Sequence, residues 1–126
     1  LIGNPATMLL GLPALGWGLW AGITRGRRDA LAFAALYAAS LGMWAVSGKP
    51  IQFYYHYLLP GAFLMALLAL ALEDVWQRRD RWRWAAPATL VLSAALFVWF
   101  YPIISAAPLH HGRPSFELWM WLTSWR

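Results

Sequence analysis

Four stretches of this chain, residues 5–24, 30–48, 50–72 and 84–109, contain no Asp, Glu, Lys or Arg. Each is long enough for a helix to cross the hydrocarbon layer, since about 20 residues at 1.5 Å each span roughly 30 Å. The rest of the composition agrees. Of 126 residues, 61% are hydrophobic and 12% charged, against roughly 25% charged in an ordinary soluble domain. So small a chain cannot hide that much apolar surface in one aqueous core. The pattern predicts an all-α integral membrane protein with spans near 5–24, 30–47, 58–76 and 85–104.

Proline and asparagine mark the ends. Asn4 before Pro5 is suited to cap the first span, with proline in the first turn where its missing N–H costs nothing. Pro13 and four glycines make that span the least regular, with a kink expected. Pro87 falls in a first turn, and Pro102 near the last turn of the fourth span suggests a bend or exit.

The charged residues set the expected topology. Arg25, Arg27 and Arg28 follow the first span, and Arg78, Arg79, Arg81 and Arg83 follow the third. Those seven lie on one side, and Lys49, Arg113 and Arg126 on the other. The positive-inside rule then puts the arginine-rich loops in the cytoplasm. Both termini and the 48–57 loop face outward. Trp76, Trp82 and Trp84 fit an interfacial belt on the arginine side, and Asp74 with Arg78 has the i,i+4 spacing of a helix-end ion pair. Because the basic residues hug the span ends, contact with anionic lipid heads explains a net charge of +5 better than nucleic-acid binding does. No nucleic-acid partner is expected.

Small residues recur at helical spacing. Ala14, Gly18 and Gly22 share one face of the first span, and Ala34, Ala38 and Gly42 one face of the second. Such faces permit close helix approach in lipid, and internal packing is expected rather than dimerisation.

Little of the chain offers chemistry. The central portions of the spans hold no ionisable residue, unlike those of proton-coupled carriers. Cysteine is absent, which removes thiol catalysis and disulfides. Glycine-rich phosphate loops and hydrolase motifs are absent too. His110-His111 reads as a solvent-side pair, and no metal or other cofactor is expected. Glu117 is the only carboxylate on the outer side, so the chain cannot assemble a pair of outward carboxylates. Residues 115–126, with three tryptophans, read as an interfacial segment on the outer leaflet or as packing against the bundle. With a leucine first and no basic n-region ahead of the first apolar run, a signal peptide is not expected, and the chain reads as a piece of something longer.

The polar exception is Lys49-Pro50-Ile51-Gln52-Phe53-Tyr54-Tyr55-His56-Tyr57-Leu58-Leu59-Pro60, between the second and third spans. In a functional reading Lys49 supplies charge to a phosphate, while His56 and the tyrosines hydrogen-bond phosphate or sugar. In a structural reading the segment is an aromatic belt leading into the third span.

The order of elements bears on that choice. Gly3-Asn4-Pro5, an apolar span, an arginine-rich turn, a second span and then Lys-Pro…Phe-Tyr-Tyr-His-Tyr-Leu-Leu-Pro resembles the C-terminal region of protein O-mannosyltransferases. Phe100-Tyr101-Pro102-Ile103 and the closing Trp121-Leu122-Thr123-Ser124-Trp125-Arg126 extend the likeness over nearly the whole chain. The extra Leu59 departs from the His-Tyr-Leu-Pro form of eukaryotic members and points to a bacterial branch. Lys49 stands where the family more often has arginine, which keeps the charge but loses the bidentate fork.

The resemblance implies the C-terminal part of a GT-C type glycosyltransferase in the plasma membrane. Such enzymes move mannose from polyprenyl-phosphate mannose to Ser or Thr of exported proteins. The family's acidic residues lie in an N-terminal loop that has no counterpart here, so no catalytic residue is expected in this chain. The N-terminal part of the same enzyme would supply them. The residues expected at the donor are Lys49, Gln52, Tyr55, His56 and Tyr57. Two alternatives stay open: a related polyprenyl-phosphate-dependent transferase, such as one moving aminoarabinose to lipid A, and a non-enzymatic four-span scaffold subunit.

Overall fold

A computed structural model describes residues 4–47 and 57–105. Each of the four apolar runs holds a long helix: α1 Pro5–Thr24, α2 Arg28–Val46, α3 Leu58–Trp76 and α4 Ala85–Ile104, the last entered through a 3-10 turn at Arg81–Trp84. Three stretches meet both the length and the apolarity that a membrane crossing demands: Pro5–Thr24, Leu58–Trp76 and Arg81–Ile104, the 3-10 turn continuing into α4. Helix α2 has the length, but much of it is alanine, interrupted by Tyr37, Ser40 and Gly42, and it opens with Arg28-Asp29. Its apolarity is therefore the lowest of the four.

The helix ends follow from local chemistry. Asn4 caps α1, its side-chain oxygen accepting from the Ala6 N–H at 3.1 Å. At the other end Gly26 takes a left-handed φ of 67°, a conformation that lets α2 start almost at once. Helix α1 continues through Pro13 as one element. At the far end of the chain, Pro102 lies inside the final turn of α4.

Helices α1, α2 and α3 pack mutually, with α3 against both others, while α4 lies more loosely on α3 and α1. Ala30 and Ala34 of α2 and Leu67 of α3 form a buried core cluster, surrounded by Leu15, Trp17, Phe33 and Leu70. Close approach depends on α1 lacking side chains on this face. A Cβ on Gly18 would come within 2.5 Å of Leu67, one on Gly11 within 2.6 Å of Leu64, and one on Gly22 within 2.7 Å of Leu31. Without a hydrophobic effect between helices in lipid, such tight van der Waals contact is what holds them.

Ala14, Gly18 and Gly22 are thus buried as one face of α1. The expected face of α2 is corrected. Ala34 is buried, but Ala38 and Gly42 are exposed, and the buried line runs through Ala30, Ala34, Tyr37 and Ser40. The spacing of 4, 3 and 3 residues tracks the helix face turned toward α1 and α3, which a run based on small size alone misses. Little of α4 is buried beyond Ala86 and Phe100.

Candidate functional site

The bundle has two chemically different ends. At one, Asp74 near the end of α3 accepts from Arg25 at 3.3 Å and lies 3.6 Å from Arg78. The ion pair brings the arginine-rich turn after α1 to the arginine-rich end of α3, so both basic loops share one side of the bundle. Beside them Arg27 clasps Asp29 through two bonds, at 3.0 and 2.7 Å. That guanidinium, helped by the Ala30 N–H, holds the Asp29 carboxyl down at about 2.

At the opposite end α3 begins, with Tyr57 just before it. Of the five expected donor residues, Tyr57 alone is described; Lys49, Gln52, Tyr55 and His56 lie outside the described residues. So do His110, His111 and the 115–126 segment. Tyr57 occupies the N-cap position of α3. Its hydroxyl stands 3.4 Å from that of Tyr37, a phenol buried on α2. Tyr37 escaped the sequence reading, although it is the one phenol in the second apolar run.

Next to Tyr57 opens a cavity of about 520 Å³ between the starts of α1 and α3 and the middle of α4. Met8, Leu58, Leu64, Met65 and Phe97 make it apolar, and Asn4, Thr7, Tyr57 and Ser93 supply its polar edge. That edge is built by Asn4. Its Nδ2 donates to the Ser93 carbonyl at 2.7 Å, tying α1 to α4 across 89 residues, while its own carbonyl accepts from Thr7 Oγ1 at 3.0 Å. Sequence reasoning finds Asn4 as a cap and misses this second bond, because nothing in the local pattern names a partner so far along the chain.

Among the described residues, no Asp, Glu, Lys, Arg or His lines the cavity. What they supply is an apolar binding space with a hydroxylic edge. A charged ligand head would have to find its counter-charge beyond these residues.

Comparisons with known proteins give the relatives of the chain. The chain matches no protein-family profile, and no solved structure matches it. Over 136 aligned positions, covering all of the chain, it is 31% identical to proteins from two strains of Mycolicibacterium smegmatis, each named polyprenol-phosphate-mannose–protein mannosyltransferase. The chain spans about a quarter of the length of those curated relatives. The likeness read from the Tyr-His-Tyr-Leu-Leu-Pro segment and its flanking spans is met: this chain is similar, from end to end, to one quarter of a polyprenol-phosphate-mannose–protein mannosyltransferase.

Proposed function

We propose that this chain is the C-terminal membrane part of a GT-C type protein O-mannosyltransferase, and that its outward end forms part of the site for the lipid-linked donor. The observation that carries the reading is the similarity of the whole chain to a quarter of a polyprenol-phosphate-mannose–protein mannosyltransferase. In this reading α2 crosses the bilayer with the other three helices, and the shared arginine-rich side faces the cytoplasm. The cavity beside Tyr57 then opens toward the outer leaflet of the plasma membrane, where an apolar space suits prenyl units of the donor.

In the transfer, a Ser or Thr hydroxyl oxygen of an exported protein bonds to C1 of mannose as the bond from C1 to the phosphate oxygen breaks. Configuration inverts, polyprenyl phosphate leaves, and the hydroxyl proton passes to a base outside this chain, in the N-terminal part of the enzyme. The role of this chain is electrostatic and positional. Lys49 offsets charge gathering on the leaving phosphate, and Gln52, Tyr55, His56 and Tyr57 orient phosphate or sugar. No metal or other cofactor is part of the scheme.

The test uses the full-length enzyme with purified polyprenyl-phosphate mannose and an acceptor peptide. Lys49→Ala and His56→Ala are each expected to lower mannosyl transfer by about tenfold or more, the scale of one lost charge-assisted hydrogen bond. Donor affinity should fall with it for Lys49→Ala. Wild-type values for both variants would reduce the loop to scaffold.

A further inference from the structure

The arginine-rich end holds a second apolar space, far along the bundle from Tyr57. A groove of about 440 Å³ runs between α3 and α4, walled by Ala69, Leu72, Trp76, Ala86, Pro87 and Leu90. Glu73 also borders it, with its carboxylate engaged by the Gln77 side chain at 3.3 Å. Trp76 belongs to this wall and also to a corner of aromatic rings. The Arg83 guanidinium carbon sits 5.0 Å from the Trp76 ring centre and 5.5 Å from that of Trp84, and the two indoles meet edge to face at 6.4 Å.

Arg25 and Arg78 share Asp74, and Arg27 has Asp29. Among the described residues Arg83, like Arg28, Arg79 and Arg81, forms no ion pair, but it is set apart by two indoles against its guanidinium and by an Nε that is buried without a hydrogen-bond partner. Two indoles hold the guanidinium in place, which lowers the entropy lost on binding a ligand, and the donors of its planar fork match a phosphate. The end as a whole has seven arginines against the four carboxylates of Asp29, Glu73, Asp74 and Asp80. Trp82 and Trp84 stay exposed, as tryptophans at a headgroup boundary do.

We propose that this corner is a binding site for an anionic membrane phospholipid, its phosphate on Arg83 between Trp76 and Trp84 and an acyl chain in the α3–α4 groove. Charge complementarity and continuity with the exposed apolar side of α4 single out this occupant. The site stabilises the contact between α3 and α4, which protein packing alone leaves slight. It does not depend on the donor-site reading, since it lies at the other end of the bundle.

The test is native mass spectrometry of the full-length protein in detergent, titrated with phosphatidylglycerol, with phosphatidylcholine of the same chains, and with inorganic phosphate. Phosphatidylglycerol is expected to bind about tenfold more tightly than phosphatidylcholine, because the choline ammonium of the latter offsets its phosphate charge and is repelled by the surrounding arginines, and inorganic phosphate is not expected to displace it. Arg83→Gln should abolish the preference, Arg83→Lys should restore part of it, and Arg79→Gln should leave it intact. Ala69→Phe, at an exposed position on the groove wall, should weaken phosphatidylglycerol binding with Arg83 unchanged, and so tests the site even if Arg83→Gln fails to fold. Equal binding of the two lipids, or equal losses in the Arg83→Gln and Arg79→Gln variants, would overturn the site in favour of diffuse charge. Displacement by inorganic phosphate would overturn the role of the groove.

Discussion

Glycines of α1 provide a direct measure of how the bundle is held. Gly16 has open space where a Cβ would stand, whereas a Cβ on Gly22 would lie 2.7 Å from Leu31 Cβ and 3.2 Å from its Cα. Both replacements gain the same helix propensity, about 1 kcal/mol by the scale for soluble helices, so their difference isolates packing. To admit Gly22→Ala, α1 and α2 must separate by several tenths of an ångström, because Leu31 Cα cannot rotate away. Overpacking of this kind costs about 1–3 kcal/mol. Gly16→Ala is therefore expected to be neutral or stabilising, and Gly22→Ala to stand 1–3 kcal/mol below it on the same scale.

Second-site changes sharpen the test. At Gly11 the clash is with Leu64 Cγ and Cδ2 at 2.6 Å, atoms that Leu64→Ala removes. Gly11→Ala and Leu64→Ala should then couple favourably, by about 0.5–3 kcal/mol relative to their sum. Leu31→Ala keeps the Cβ and Cα that oppose Gly22, so no rescue is expected there. The assay is equilibrium unfolding in mixed micelles, single and double variants side by side. If Gly16→Ala proves as damaging as Gly22→Ala, or Leu31→Ala rescues Gly22→Ala, the assignment of the inward face of α1 is wrong.

Asn4→Ala removes both the cap on Ala6 and the bond to Ser93, and should cost about 1–3 kcal/mol in the same assay. Asn4→Asp keeps the cap but loses the Nδ2 donor and sets a carboxylate oxygen against the Ser93 carbonyl, so a loss as large as that of alanine would assign the effect to the α1–α4 tie. At the arginine end, the Asp29 carboxyl lies at about 2 because of Arg27. A lowered carboxyl contributes stability that is complete above its ordinary range and is lost as pH falls through about 2. Arg27→Gln should return the Asp29 titration toward ordinary carboxylate values, followed by carboxyl-carbon NMR; an unmoved titration would shift the cause to the Ala30 N–H.

Helix positions were legible because charge is excluded from the runs that become helices, and the cap at Asn4 is a local signal. The Asp74–Arg78 pair was legible from its i,i+4 spacing, but the pairing of the two basic loops was legible only as a side, from their common sign, since the Arg25–Asp74 bond joins residues 49 apart. The inward line of α2 was not legible, since alanine carries too little contrast for a periodic pattern to show which face is inside. Tyr37, Ser40 and Ala34 lie on it together, and size alone would not group them. The cavity beside Tyr57 stayed hidden for a related reason. Its walls come from three helices, and the one bond that fixes its rim runs from Asn4 to Ser93.

Helix α4 shows how these local facts add up to a mechanical arrangement. It packs less tightly on α1 and α3 than those helices pack on each other, and its attachments lie near the two ends of the bundle. On one side Asn4 grips its backbone at Ser93; on the other, Trp84 closes onto Trp76 with Arg83 against both rings. An apolar space adjoins each attachment, one bordered by Phe97 and the other by Pro87 and Leu90. Because α1 meets α2 and α3 at Gly11, Gly18 and Gly22 with no room there for a methyl, α4 is the helix that packing within the bundle fixes least.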